Sequence, residues 1–117
     1  MKFAHISDCH LGGWRQLELQ RLNMESFIIA IDSSIKEKVE FILFTGDLFD
    51  TAFPSIEILK ETFTEFRKLK DAGIKCYLIA GSHDYSVSGK TFLDVLEKAG
   101  LCEICKYDEK EQVYFRH

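Results

Sequence analysis

The chain lacks any apolar run approaching the length of a membrane span, and its start, Met1-Lys2-Phe3, lacks the apolar core of a secretory signal. Both absences make the cytoplasm the expected compartment, with no membrane contact. Positive charge is not in excess either, since the formal net charge is −4 over 117 residues. No global basic field therefore announces a polyanionic partner, although an acidic metal site lowers that count where bound cations later raise it. Internal repeats, low-complexity tracts and linkers are missing. The four cysteines, at 9, 76, 102 and 105, have no secretory context, so free thiols are expected rather than a disulfide framework. Cys102-x-x-Cys105 lacks the second pair that a tetrahedral site needs and reads as structural.

What remains is a composition of 46% hydrophobic and 29% charged residues, which fits one globular domain at most. Phe41-Ile42-Leu43-Phe44-Thr45 reads as a strand buried on both faces, broken by Gly46, with Asp47 where the strand should end. Lys2 to Ile6 and Lys75 to Ala80 are further short apolar strands. The first runs into Ser7-Asp8-Cys9-His10-Leu11-Gly12-Gly13, the other into Gly81-Ser82-His83-Asp84. A helix is expected from about Leu17 to Lys38 on the stripe Met24, Phe27, Ile28, Ile31 and Ile35. A second starts at Pro54-Ser55, carries Ile56, Leu59, Phe63, Phe66 and Leu69 on one face, and stops at Gly73. A third spans roughly Gly89 to Ala99, and Cys102–Lys106 with Val113–Phe115 suggest a hairpin around Asp108-Glu109-Lys110-Glu111.

The order is α/β: βαβαβα with a mainly parallel sheet, then a short ββ. Crossovers between parallel strands are right-handed in nearly all cases. If the strands lie side by side in sequence order, both crossover helices fall on one face and leave the other bare. The chain stops at Tyr114-Phe115-Arg116-His117 in mid-strand and is expected to be part of a larger domain.

Ligands of open α/β sheets gather outside the carboxyl ends of strands. Asp8 and His10 follow the first strand, Asp47 the second and His83 the third. Two residues apart on extended backbone, Asp8 and His10 can project to the same side. Three strand ends thus bring two carboxylates and two imidazoles to one rim, a donor set suited to manganese, iron or zinc. Asp47, on the central strand, is the expected bridge between two cations that acidify a water and neutralise phosphoryl oxygens. His83 could then stabilise the transition state or protonate the leaving oxygen, with Asp84 orienting its ring. Taken singly, each motif is an ordinary turn or helix-entry loop; their conjunction in order at three strand ends carries the functional reading.

In that order Asp8-x-His10, Gly46-Asp47 and Gly81-Ser82-His83-Asp84 resemble the first three motifs of the calcineurin-like metallophosphoesterases. His10-Leu11-Gly12 with Arg15-Gln16 nearby, and Gly46-Asp47-Leu48-Phe49-Asp50 followed by Pro54-Ser55, resemble the branch of SbcD/Mre-type DNA double-strand-break repair nucleases. The resemblance implies a metal-dependent nuclease, an enzyme cleaving DNA phosphodiesters by endonuclease or exonuclease action. It implies two divalent metal ions, with manganese expected, bound by Asp8, His10, a bridging Asp47 and the position of Ser82, and His83 as catalytic residue assisted by Asp84. The family carries Asn where this chain has Ser82, and supplies later histidine motifs that are absent here. The chain alone is therefore expected to bind metal weakly and be poorly active. The implied fold is a four-layer αββα sandwich whose second sheet would cover the bare face, so 1–117 would be the N-terminal part of the nuclease domain. Implied partners are DNA, a coiled-coil SMC-like ATPase, and a second copy through helices 55–72 and 89–99, where Leu59 could face the dimer or be plain core.

Arg15 and Arg21 flank the first motif and could meet phosphates, while Trp14 could stack or pack; an ordinary solvated helix start is an equal reading. Two alternatives stand beside the repair nuclease. One is another phosphoesterase acting on nucleotides or phosphoproteins. The other is a non-catalytic DNA-repair subunit that has lost metal binding through Ser82.

Overall fold

The computed structural model describes residues 1–13, 16–46, 48–49, 54–79, 89–107 and 113–115. Within them the elements run β1 (Phe3–Ser7), α1 (Leu17–Lys36), β2 (Phe41–Thr45), α2 (Ile56–Asp71), β3 (Lys75–Ile79), α3 (Gly89–Lys98), β4 (Glu103–Tyr107) and β5 (Val113–Phe115). One sheet takes the strands in sequence order, β1-β2-β3-β4-β5. The first four are parallel, and β5 pairs antiparallel with β4, as expected of the terminal hairpin. Ser7, Thr45, Ile79 and Cys105 are neighbours across the sheet, so β1, β2 and β3 finish on one level line, while β4 runs on two residues to Tyr107.

Alternation along the strands sends Ile42, Phe44, Cys76, Leu78 and Ile104 to the helix-covered face. Met24, Phe27 and Ile31 of α1, Phe66 and Leu69 of α2, and Leu93 and Leu96 of α3 fill the other half of this core. Its centre is an aromatic triangle, with Phe44 5.1 Å from Phe66 and Phe27 6.3 Å from each. The opposite face stays open. Phe41 and Leu43 of β2 are only half-buried there, and Phe3, which stacks on Phe41 at 5.1 Å, is 52% exposed. Among the described residues β2 is thus covered on a single face, because sequential order with one crossover hand puts the helices together, as expected for strands lying side by side.

All three helices close the same way. The residue after the C-cap turns left-handed, and the next N–H reaches back five residues, as in Ile74 to Leu69 (2.9 Å) and Leu101 to Leu96 (3.1 Å). Gly73 and Gly100 take that position at φ +77° and +75° without steric cost, but at the end of α1 it falls to Lys38 at φ +55°. That is why α1 ends at Lys36 rather than Lys38.

The face of α2 also differs from the expected stripe. Ile56 is 70% exposed, and Thr62 and Glu65 are buried beside Phe66 and Leu69, with Leu59 and Phe63 half-buried. Two polar contacts allow this rotation. Thr62 donates to the Ile58 carbonyl at 2.7 Å, and Glu65 accepts from Lys68 at 2.7 Å. Lys68 also reaches Asp32 of α1 at 2.7 Å, tying the two helices together. The start of α2 matches expectation: Ser55 accepts from the Ile58 amide at 3.2 Å.

All four cysteines are free. Burial, with the nearby Glu103 carboxylate, raises the Cys105 thiol, and Cys102 is pushed up to about 12 by burial, then by Cys76 and two glutamates. Both therefore stay neutral thiols, in keeping with a structural role.

Candidate metal centre

The best-defined part of the candidate centre is the turn that leaves β1. Asp8 continues the pairing for one residue, its amide donating to the Thr45 carbonyl at 2.9 Å. Leu11, wholly buried, donates to the Leu48 carbonyl at 2.9 Å and forms a parallel bridge with Phe49. Between these anchors the backbone does not stay extended. Asp8 and His10 both adopt left-handed conformations, at φ +50° and +46°. The expected projection from an extended segment is therefore replaced by a strained turn, of the kind that surrounding structure must over-determine.

That turn lays the Asp8 carboxylate against the tip of β2. Gly46 sits at φ +76°, and a methyl group placed on it would overlap Asp8 Oδ1 and stand 3.0 Å from Cγ. A cradle that only glycine can leave open thus holds the carboxylate of one strand tip against the next. His10, half-buried two residues on, adds an imidazole to the same turn. Oxygen and nitrogen donors of this kind suit divalent manganese, iron or zinc, so the residues present fit such an ion. Cys9 between them turns the other way, against the core. Burial first, and the Asp8 charge second, push its thiol up to about 12.

The remaining expected site residues, Asp47, Ser82, His83 and Asp84, lie outside the described residues, as do Arg15 and Trp14. Among the described residues no group of three or more metal-ligating side chains is assembled. Arg21 is exposed on α1 and lines a groove of about 530 Å³ between α1 and α2, which it shares with Glu25, Glu57 and Glu61.

A residue that pattern reading passed over holds the turn from below. Asn23 of α1 donates from Nδ2 to the Cys9 carbonyl at 3.0 Å. The available signal was a polar residue four before Phe27, on the flank of the buried stripe.

The same residues match a family model, described as calcineurin-like phosphoesterase, over 1–115. The chain belongs to the calcineurin-like phosphoesterase family. Its curated relatives include the DNA double-strand break repair protein Mre11 of Methanococcus maripaludis, 39% identical over 98 residues that cover 79% of this chain and 26% of that protein. The protein of the same name from Sulfurisphaera tokodaii is 43% identical over 86 residues, covering 71% of this chain and 22% of the relative. That from Saccharolobus solfataricus is 32% identical over 114 residues, covering 93% of this chain and 30% of its own length. This phosphoesterase chain therefore spans about a quarter of the length of the curated relatives it matches. Its described α/β architecture, four parallel strands with helices, is consistent with the family fold.

Proposed function

We propose that this chain is part of a metal-dependent nuclease that hydrolyses DNA phosphodiesters during double-strand-break repair. The observation that carries the proposal is the seating of the Asp8 carboxylate in the Gly46 cradle, which joins two strand tips at the edge where open α/β sheets bind ligands. Relatives that are DNA double-strand break repair proteins, together with membership of a phosphoesterase family, favour a repair nuclease over a nucleotide or phosphoprotein phosphatase and over a non-catalytic subunit.

In this function Asp8 and His10 would hold a divalent ion, Asp47 would be shared with a second, and Ser82 would contribute to that second ion through its short hydroxyl. Manganese is the ion we assign. When bound, such ions supply charge neutralisation for the phosphoryl oxygens and acidity for a water. His83 would donate a proton to the leaving oxygen, and Asp84 would hold its ring in the donating tautomer. Arg15 and Arg21 are the proposed phosphate contacts. Residues 1–117 would correspond to the N-terminal part of the nuclease domain.

The assembly we assign includes DNA, a coiled-coil ATPase and a second copy of the chain. Exposed Ile56 and Val95, on α2 and α3, are apolar groups that a contact between copies would cover. No described helix is long and apolar enough to cross a membrane, and the cytoplasm is the proposed compartment.

Calorimetric titration with manganese, with Asp8→Ala alongside, tests the centre. A weak wild-type isotherm that Asp8→Ala abolishes is expected, with little cleavage of duplex DNA by the chain alone. Equal binding by both proteins would remove Asp8 from the site, and brisk DNA cleavage would show that no further ligands are needed.

A further inference from the structure

We infer that Asn23 is a positioning residue: through its single side-chain bond to the Cys9 carbonyl, it fixes the orientation in which the left-handed turn presents Asp8 and His10. The inference rests on the metal-centre reading above and extends it to a residue that touches no ion.

Asp8 and His10 flank Cys9 and both hold left-handed backbone, so the peptide between Cys9 and His10 is joined to strained residues and has no helix or ladder to define it. Two backbone hydrogen bonds of the turn run to the chain segment of β2: Asp8 N–H to Thr45 O and Leu11 N–H to Leu48 O, both at 2.9 Å. A third, Gly13 N–H to His10 O at 3.1 Å, stays within the turn. The Asn23 bond, at 3.0 Å, comes up from the helical layer. A trans peptide points its carbonyl and its N–H to opposite sides. Held down towards α1, the Cys9 carbonyl therefore turns the His10 N–H away from the core. The anchor is firm, since Asn23 adjoins Met24 and precedes Phe27 by one turn, and both of those are 4% exposed in the core beneath β2.

The other half of the Asn23 amide supplies an independent observation. Its Oδ1 is buried and has no hydrogen-bond partner among the described residues. Burying an unpaired acceptor is unfavourable, and a leucine of similar size would fill this place without that penalty. A residue serving packing alone has no use for the amide, so the Nδ2–H donor is what distinguishes the position. Were the amide turned over, Oδ1 would face the Cys9 oxygen with no proton between them, which fixes its orientation.

Two substitutions separate positioning from packing. Asn23→Leu keeps the size and removes the donor. Asn23→His restores a donor, because ring Nδ1 stands as many bonds from the backbone as Nδ2. Amide hydrogen exchange is measured on the 117-residue chain together with manganese-induced broadening of the Asp8 and His10 NMR signals. In Asn23→Leu we expect Asp8 and Leu11 amides to exchange at least about 10-fold faster, α1 amides to be unchanged and thermal stability to hold or rise. The manganese midpoint should weaken by about 10-fold or more, the range seen when groups supporting metal ligands are lost, and Asn23→His should recover most of both effects. Unchanged exchange at Asp8 and Leu11 would overturn the inference, as would loosening spread through α1 with a lower melting temperature. Faster exchange with an unmoved manganese midpoint would also overturn it. Absence of any manganese effect in the wild type would instead defeat the metal-centre reading, and the exchange comparison tells that failure apart from a failure of the Asn23 assignment.

Discussion

Replacing Gly46 by alanine imposes two costs, and the molecule contains its own control for one of them. Gly46 and Gly73 have nearly the same backbone, φ +76° and +77°. At Gly73 an added methyl meets nothing within 4 Å, so Gly73→Ala carries only the left-handed penalty, about 1–2 kcal/mol. At Gly46 the methyl also overlaps Asp8 Oδ1, stands 3.0 Å from Cγ and comes within 3.4 Å of the Asp8 backbone nitrogen. The carboxylate is the mobile partner, because the Asp8 amide is fixed to Thr45 O. It therefore swings out of the cradle. Both variants should lose a similar 1–2 kcal/mol, about 4–8 °C of melting temperature per kcal/mol in a domain near this size. Only Gly46→Ala should lose metal: an expected fall of at least about 10-fold in manganese affinity corresponds to roughly 1.4 kcal/mol. Urea unfolding gives the first quantity and calorimetry the second. Equal manganese affinity in Gly46→Ala and wild type would refute the cradle, and so would a matching affinity loss in Gly73→Ala.

Three further outcomes follow from the fold. Lys38→Gly, which gives α1 the glycine ending that α2 and α3 already have, should stabilise the chain by about 0.5–1 kcal/mol in urea unfolding, and no gain would contradict the strain assigned at φ +55°. Phe66→Ala removes a ring with no exposure from the centre of the aromatic triangle and should cost about 3–5 kcal/mol, read as a lower urea midpoint at constant slope; a cost under about 1 kcal/mol would displace that triangle from the core. Lys68 is held above its usual 10.5 by hydrogen bonds first to Asp32 and then to Glu65. Its contribution to stability is thus complete below pH 10.5 and lost as pH rises through the higher folded value. With Lys68 38% and Asp32 56% exposed, screening keeps this near or below about 1 kcal/mol. Urea midpoints from pH 7 to 11 should fall more steeply for wild type than for Lys68→Met, and parallel curves would contradict the coupling.

The architecture was legible because its signals are local and repeated. Apolar runs ending in Gly46 or in Ser7-Asp8, the stripe around Phe27 and Ile31, and Pro54-Ser55 each act within one element, and the handedness of crossovers then places the helices. What escaped depends on partners distant in sequence. Ile56 fits an apolar stripe, yet it is exposed because Thr62 and Glu65 find hydrogen bonds that let α2 rotate. The left-handed turns at Asp8 and His10 are imposed by ties to Thr45 and Leu48, which no local rule announces. The Asp8 motif was visible as a candidate ligand pair, but its seating against Gly46 needed the register between β1 and β2. Asn23 has a meaning only once Cys9 is known to lie above it.

The level finish of β1, β2 and β3 makes assembly error self-reporting. Side chains alternate with a period of two, so sliding β2 past β1 by one residue would present Phe41 and Leu43 to the helices in place of Ile42 and Phe44. The same slip would carry Gly46 out from under the Asp8 carboxylate. A misaligned sheet would thus forfeit its interior and its chemistry in one step, leaving no intact imposter with a ruined rim.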